Sequence, residues 1–332
     1  MHMNREARPT HLLLWLNNRC NARCPMCEIW REKRRTFIPA SEIESMAADW
    51  VAMGIREVEL CGEPTLHPEL AEICRILDIY RIRMRFLSNG LLLKKYAALV
   101  ARYGTSLTVS LDGPPAIHNT VRNVPSAYER LEEGLAALRR VAPGITVHGR
   151  CVVHRLNYPL LRETVDTARR LALADISFLG LDIGSPAFGR ESADALNPPA
   201  VGALVVPRDA VPALRQAVEQ LIESESAELG QFVRETADVL RSVLVGHVET
   251  YWDPGSQAAR IVECDAPWTS AVIEPDGAVR PCWFLPAYGN LRDYDSLGAL
   301  LESPEATRYR DGIDVASNPM CRACVCPRAL GS

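Results

Sequence analysis

Three cysteines within eight residues constrain this chain more than any other feature of its sequence. Cys20, Cys24 and Cys27 follow directly after the apolar run 12–16, which reads Leu-Leu-Leu-Trp-Leu. That run is long enough for one β-strand and too short to cross a membrane, so the cysteines are expected on a loop at a strand end. Thiolates select iron–sulfur clusters, zinc or copper(I), and an iron–sulfur cluster usually takes four of them. Three thiolates would leave one iron open to a ligand that is not protein.

Zinc is the alternative ligand for these cysteines. Zinc sites usually combine two C-x2-C pairs, whereas the spacing here is the uneven C-x3-C-x2-C. A third interpretation is that the cysteines only fill small buried positions. The spacing favours the iron–sulfur cluster.

Composition limits the function classes. The chain has 332 residues and a net charge of −4, so it lacks the excess of basic residues that is typical of nucleic-acid-binding proteins. No run of eighteen apolar residues occurs and residues 1–10 are polar, so neither a membrane span nor a secretion signal is expected. Eleven cysteines without such a signal indicate a cytoplasmic protein that uses thiols for metal ligation.

Strand and helix signals alternate through the first half of the chain. Strands are predicted at 12–17, 57–60, 83–87, 106–111, 146–153 and 175–179, and helices at 41–53, 67–80, 91–103, 126–141 and 158–173. Ser41 with Glu44 predicts a capping box, and Ser126 predicts another N-cap. This alternation implies parallel strands with right-handed crossovers, in a doubly wound sheet or a partial barrel.

The pattern breaks at residues 184–209, where several prolines and glycines predict an irregular connection. Two further helices are predicted at 211–223 and 231–245. The cysteine density rises again after residue 263, which indicates a small appended domain. The predicted domains are therefore 1–200, a helical connection at 201–262, and 263–332.

The cysteine motif and four later motifs together resemble the radical S-adenosylmethionine (SAM) enzymes. C-x3-C-x2-C after a short N-terminal strand is similar to that family's cluster motif. The family's G-G-E-P, S/T-N-G and S-L-D-G…H-D-x-x-R motifs resemble strand-end segments here, at residues 61–64, 88–90, 110–113 and 118–122. Cys61 replaces the first glycine of the first motif, and Asn119 replaces the usual Asp, so that position is not carried over.

The resemblance implies a fold, a cofactor and a set of contacts. The family folds as an open partial (β/α)6 barrel, and its [4Fe-4S] cluster binds SAM through the open iron. The implied SAM contacts are Met26, Gly62, Glu63, Pro64, Ser88, Asn89, Ser110, Asp112 and Arg122. Among these, the serine and the arginine of the last motif hold the SAM carboxylate, a contact that suits a guanidinium group.

A second set of cysteines lies near the C-terminus. Residues 273–279 carry an Asp-Gly hairpin signal between two of them. A cysteine, a hairpin, a second cysteine and a C-x2-C pair resemble the twitch or SPASM extension of radical SAM enzymes. The resemblance implies one auxiliary [4Fe-4S] cluster on Cys264, Cys282, Cys321 and Cys324, with Cys326 as a possible substitute. A structural zinc ribbon is the alternative.

The implied chemistry is hydrogen-atom abstraction by a 5′-deoxyadenosyl radical, which requires an electron donor such as flavodoxin or ferredoxin. Cys61 and Cys151 are candidates to return a hydrogen atom from the inner side of the barrel, and Tyr251, Asp182 and His154 are candidates to border the substrate.

The first strand begins close to residue 1, with no peptide-recognition domain before it, which favours a small molecule such as a sugar, aminocyclitol or nucleoside sugar. A peptide maturase is the runner-up, and a zinc-binding interaction protein is the alternative of another class.

Overall fold

The computed structural model describes residues 9–190, 199–253 and 264–325. Within these ranges nine strands form one sheet in the order β6-β5-β4-β3-β2-β1-β7-β8-β9. The strands are β1 (His11–Trp15), β2 (Glu57–Cys61), β3 (Arg83–Ser88), β4 (Gly104–Ser110), β5 (Thr146–Val153), β6 (Asp175–Gly180), β7 (Ser270–Ile273), β8 (Ala278–Arg280) and β9 (Gly289–Asn290). Strands β1 to β6 pair in parallel. This confirms the partial (β/α)6 barrel with a small C-terminal region.

Helices connect the parallel strands and cover one face of the sheet. They are α1 (Ala40–Ala52), α2 (Leu70–Ile79), α3 (Leu93–Tyr103), α4 (Pro115–Arg122), α5 (Ala127–Val141) and α6 (Leu161–Arg170). The later helices are α7 (Pro199–Gly202), α8 (Val211–Ser224), α9 (Ala237–Leu240), α10 (His247–Trp252), α11 (Ala266–Thr269), α12 (Leu297–Glu302), α13 (Pro304–Asp311) and α14 (Pro319–Arg322). No helix in the described ranges combines the length and apolarity needed to cross a membrane.

The two faces of the sheet differ in chemistry. Along β5, Val147, Cys151 and Val153 are buried in the main core, which the helices cover. His148 and Arg150 alternate with them and therefore line the inner face of the barrel. Register places Arg150 between Ser110 of β4 and Ser177 of β6 on that inner face. The inner face of the barrel is therefore polar in this region, as a binding site requires.

The C-terminal region continues the barrel sheet. Strand β7 pairs in parallel with β1, on the side opposite β2. Strands β7 and β8 are antiparallel, which confirms the predicted hairpin. Gly277 in its turn has φ +89°, and a Cβ there would lie 2.6 Å from Asn290 Oδ1, so glycine is required on both counts. The pairing of β7 with β1 brings the C-terminal region beside the strand that precedes the first cysteine set.

Both predicted helix caps are wrong. Helix α1 begins at Ala40 after Pro39, with no side-chain cap from Ser41; instead the Ala40 N–H donates to Glu69 Oε2 at 2.9 Å. Ser126 has φ +56° and makes no capping hydrogen bond, although α5 does begin at the next residue. Tertiary contacts satisfy these helix ends, and a local pattern does not reveal them.

The helix predicted at 231–245 begins only at Ala237, continues as a π-helix over Arg241–Gly246 and leads into α10. The preceding residues pair with the outer edge of β6: Ile176 N–H donates to the Phe232 carbonyl at 2.7 Å, and Arg234 N–H to the Ile176 carbonyl at 3.0 Å. This pairing covers backbone groups that the sheet edge would otherwise expose.

Candidate metal and cofactor site

The cysteine loop follows β1 at the carboxyl end of the barrel, where parallel barrels carry their chemistry. Within the loop, the Ala22 N–H points to Cys20 Sγ at 3.4 Å and the Cys27 N–H donates to the Cys24 carbonyl at 3.2 Å. Asn89 Nδ2 at the end of β3 lies 3.7 Å from Cys20 Sγ. Neighbouring strand ends therefore hold the loop in place.

The three thiols lie close enough to influence one another's ionisation. Burial, together with the charges of the Glu63 carboxylate and the Cys24 thiolate, raises the pKa of Cys20 to about 11. Burial, followed by the charges of Cys24 and Cys20, raises the pKa of Cys27 as well. Thiolates at this position therefore need a cation, which an iron–sulfur cluster supplies.

The donor arrangement suits a cluster. Among the residues that the structure describes, no three His, Cys, Asp or Glu side chains lie close enough together to hold one metal ion. In a four-iron cluster each thiolate binds its own iron, so the sulfurs need not converge on one point. The three cysteines of the loop therefore fit the cluster that the motif implies.

A buried carboxylate joins the ends of β2 and β3. Glu63 is 1% exposed, and its carboxylate accepts hydrogen bonds from Ser88 Oγ at 3.0 Å, Asn89 N at 2.9 Å and Thr65 Oγ1 at 2.5 Å. Burial raises the pKa of Glu63, while these donors lower it. Gly62, which precedes it, has φ +78°, and a Cβ there would lie 2.6 Å from Trp15 Cδ1. Glu63 thus orients the Ser88-Asn89 turn next to Cys20.

A buried ion pair forms the end of β4. Arg122 Nη2 lies 2.5 Å from Asp112 Oδ2, and Arg122 Nη1 lies 3.6 Å from Cys24 Sγ. Asp112 is fully buried and its other oxygen accepts the Val152 N–H at 3.2 Å. Burial alone would lower the pKa of Arg122, but the charges of Asp112 and Cys24 raise it. Arg122 thus carries a fixed positive charge beside the cysteine loop, and Asp112 holds it there.

A second buried arginine reaches the cysteine loop from the segment after β6. Arg190 is 0% exposed; its Nη1 lies 2.6 Å from Asp182 Oδ2 and its Nη2 donates to the Met26 carbonyl at 3.1 Å. The Glu28 N–H donates to the Phe188 carbonyl at 2.9 Å. The sequence did not predict these contacts between the segment after β6 and the cysteine loop, because residues 184–209 indicated only an irregular connection. Arg190 also gives Asp182, expected to border the substrate, a structural partner.

Aromatic side chains connect the two cysteine regions. Trp283, which follows Cys282, lies 5.4 Å from Trp15 and 6.0 Å from Phe188 between ring centroids, and Phe188 lies 6.3 Å from Phe284. We call Trp15, Phe188, Trp283 and Phe284 the aromatic wall. Nothing local in the sequence marks it, because its members come from β1, the segment after β6 and the C-terminal region.

The second cysteine set is partly assembled. Cys264, Cys282 and Cys321 pack against one apolar cluster that includes Trp268. Burial, with a smaller contribution from the charges of Cys264 and Cys321, raises the pKa of Cys282 to about 12. The Cys324 N–H donates to the Cys321 carbonyl at 3.1 Å, which closes the C-x2-C turn. Cys326 lies outside the described residues.

The two candidate hydrogen-atom donors lie on opposite faces of the sheet. Cys61 is buried in a small cluster with Trp15 and Ile29, against which Cys20, Cys27 and Trp283 pack. Its expected inner position is therefore in agreement with the structure. The expectation is wrong for Cys151, because strand alternation turns it into the main core beneath the helices.

The candidates for the substrate border differ in their surroundings. Tyr251 lies on α10 with its ring 4.9 Å from that of Trp252, edge to face. His154 is buried after β5, and its Nε2 has no hydrogen-bond partner within the described ranges. Burial lowers the pKa of His154 to about 4. The imidazole of His154 is therefore neutral at neutral pH.

Comparison with known proteins supports both cysteine regions. The family model described as the radical SAM superfamily matches residues 16–168, and the SPASM model, described as an iron–sulfur cluster-binding domain, matches residues 264–325. The chain is 32% identical to a probable GTP 3′,8-cyclase of Thermococcus kodakarensis over 44% of this chain and 51% of that protein. It is 24% identical to a PqqA peptide cyclase of Rhodopseudomonas palustris over 91% of this chain and 76% of that protein.

The fold also matches solved structures along nearly the whole chain. The structure of Streptococcus suis SuiB bound to S-adenosylmethionine superposes with a TM-score of 0.66 at 16% identity, over 96% of this chain and 72% of SuiB. At this identity the match shows a common fold. The chain spans about half the length of the first curated relatives it matches.

Proposed function

Because this chain belongs to the radical SAM superfamily and carries a SPASM iron–sulfur domain, we propose that it cleaves SAM reductively and abstracts a hydrogen atom from a substrate. The observation that carries this proposal is the loop of Cys20, Cys24 and Cys27 at the carboxyl end of β1, beside Asn89 and Arg122. With the cluster and SAM bound, a 5′-deoxyadenosyl radical would supply a hydrogen-abstracting power that protein side chains lack. The chain's own residues bind and orient the reactants.

Each polar group at the barrel mouth has a role in this proposal. Cys20, Cys24 and Cys27 ligate three irons of the first cluster. Ser110 and Arg122 hold the SAM carboxylate, and Asp112 fixes the guanidinium orientation. The remaining contacts to SAM come from the segments next to the loop and at the ends of β2 and β3, namely Met26, Gly62, Glu63, Pro64, Ser88 and Asn89.

The second cluster is proposed on Cys264, Cys282, Cys321 and Cys324. The first three pack against one apolar cluster, and the turn at Cys324 is closed, which supports this set. The aromatic wall lies between this region and the cysteine loop, so a substrate held against it would lie between the two clusters. We propose residues 1–200 as the core, 201–262 as the connection and 263–332 as the auxiliary domain, although β7 continues the core sheet.

We propose that the substrate is a small polar molecule, such as a sugar, aminocyclitol or nucleoside sugar. Aromatic rings from the wall and the polar inner-face group of Arg150 support this, because such sites bury the apolar faces of a ring and hydrogen-bond its edges. Cys61 can return a hydrogen atom to a substrate radical from the inner face. The electron donor is a protein such as flavodoxin or ferredoxin. The ten cysteines that the structure describes are free of disulfides, which agrees with a cytoplasmic site of action.

A peptide substrate is the second candidate, and one observation favours it. The alignment with the PqqA peptide cyclase covers 91% of this chain, whereas the alignment with the GTP 3′,8-cyclase covers 44%. In that case this chain would be a peptide maturase that forms a crosslink or an epimerised residue.

Cleavage of SAM tests the proposed reaction. The anaerobically reconstituted enzyme, supplied with a chemical reductant and SAM, should form 5′-deoxyadenosine, and a triple variant lacking the loop cysteines should form none. A low-molecular-weight extract of the source cells should raise this rate, and protease treatment of the extract should leave that effect intact. Loss of the effect after protease treatment would favour the peptide, and equal activity of the triple variant would refute the reaction.

A further inference from the structure

Arg150 projects from β5 into the barrel. It alternates with the buried residues Gly149 and Cys151, and its register neighbours on the inner face are Ser110 and Ser177. Arg150 therefore lies on the inner face of the barrel, three residues before the carboxyl end of β5.

The other charges on this inner face have partners. Arg85 lies 3.4 Å from Glu57 and 3.3 Å from Glu59. His148 Nδ1 lies 2.7 Å from Asp175 Oδ2. In the C-terminal hairpin, Arg280 Nε lies 2.6 Å from Glu274 Oε1, and both side chains of this pair are buried. The barrel interior therefore has a largely balanced set of charges.

Arg150 departs from this balance. Among the described residues its side chain forms no ion pair, and its buried Nε has no hydrogen-bond partner. Removing an unpaired cation partly from water costs free energy unless a bound anion neutralises its charge. A guanidinium group is suited to carboxylate and phosphate, which accept two parallel hydrogen bonds from it.

We propose that Arg150 is the anion-binding residue of the substrate site and holds a carboxylate or phosphate group of the substrate inside the barrel. The unpartnered buried Trp15 Nε1 is a further donor at the mouth of the lumen. This inference rests on the proposed function for its substrate, and it narrows that substrate to anionic molecules.

A carboxylate could also come from SAM. Arg122 already lies beside Cys24 and is the proposed partner of the SAM carboxylate, whereas Arg150 lies three residues before the end of β5 and deeper in the barrel. We therefore assign Arg150 to the substrate. The two sources are distinguished by measuring SAM binding separately.

Thermal unfolding of the reconstituted protein without reductant tests the site independently of SAM cleavage. Inorganic phosphate and succinate are the probes, with chloride keeping the ionic strength constant. Binding to the folded state should raise the midpoint in a saturable way, on the order of 2 °C. Arg150→Met should abolish the rise and Arg150→Lys should weaken it. Arg162→Met, which removes an equal charge from an exposed position on α6, should leave it unchanged.

Equilibrium dialysis with SAM completes the test. Arg150→Met should keep the SAM affinity of the wild type within about twofold. A tenfold loss would assign Arg150 to the SAM carboxylate and overturn the substrate assignment. Equal midpoint shifts in wild type and Arg150→Met would overturn the anion site. Should Arg150→Met fail to fold, an unweakened shift in Arg150→Lys would count against the guanidinium contact and a weakened one would support it.

Discussion

Arg122→Met should lower the free energy of unfolding by about 3 to 5 kcal/mol, because it leaves a buried carboxylate without its counter-charge. Asp112 is fully buried and Arg122 is 8% exposed, with 2.5 Å between Asp112 Oδ2 and Arg122 Nη2. Water cannot replace the guanidinium group at such a position. The remaining hydrogen bond to Asp112 Oδ1, from the Val152 N–H, is too weak to offset the loss.

A double-mutant cycle separates the pair from its surroundings. Asp112→Asn alone should also destabilise the protein, since it leaves Arg122 buried beside the Cys24 thiol. The double variant Arg122→Met with Asp112→Asn should be closer to wild type than either single variant, because it buries no unpaired charge and Asn still accepts the Val152 N–H. An interaction energy of about 3 kcal/mol is expected for a pair buried to this degree.

Urea unfolding followed by circular dichroism measures the cycle, with iron content determined for each sample. Arg122→Lys serves as the control, because it keeps the charge and loses the planar fork. SAM affinity, measured by equilibrium dialysis, should fall in Arg122→Lys without loss of iron. A cost below about 1 kcal/mol for Arg122→Met, or additive single variants, would refute the buried-pair reasoning. Unchanged SAM affinity would mean that Arg122 does not hold the carboxylate.

Two further predictions concern the clusters. In a variant lacking the first cluster, Cys282→Ala should remove the remaining iron while Cys326→Ala should keep about four irons per chain; iron loss with Cys326→Ala, and retention with Cys324→Ala, would indicate the other ligand set. Arg190→Gln should shift the reduction potential of the first cluster to more negative values and Asp182→Asn to more positive ones, because the two substitutions remove opposite charges close to it. A redox titration followed by electron paramagnetic resonance measures both, and shifts of the same sign would contradict an electrostatic role.

Strand positions could be predicted because each strand is a short apolar run that begins and ends with polar or glycine residues. The run 12–17 predicted β1, which spans His11–Trp15, and 146–153 coincides with β5. The apolar residues sit on the helix-covered face, and this burial is encoded locally by alternation. Cap positions were not predictable in the same way: the N–H of Ala40 is satisfied by Glu69, a contact that only the folded chain creates.

The residues of the candidate site also differ in whether a local sequence pattern identifies them. Cys20, Glu63 and Arg122 belong to short motifs, so the spacing of the sequence identified them as candidates. Arg190 and Trp283 were missed, because their partners Met26 and Trp15 lie more than 160 residues away in the chain. The pairing of β7 with β1 brings Trp283 to the barrel mouth, and no local pattern predicts that pairing.

The most direct measurement of the central claim is the iron content and 5′-deoxyadenosine yield of the anaerobically reconstituted protein. Two clusters predict about eight irons per chain for the wild type, and about four irons with no 5′-deoxyadenosine for the variant in which alanine replaces Cys20, Cys24 and Cys27. Both samples receive the same reductant and SAM, so the difference between them isolates the first cluster. Formation of 5′-deoxyadenosine by the triple variant, or zinc in place of iron in the wild type, would contradict the account.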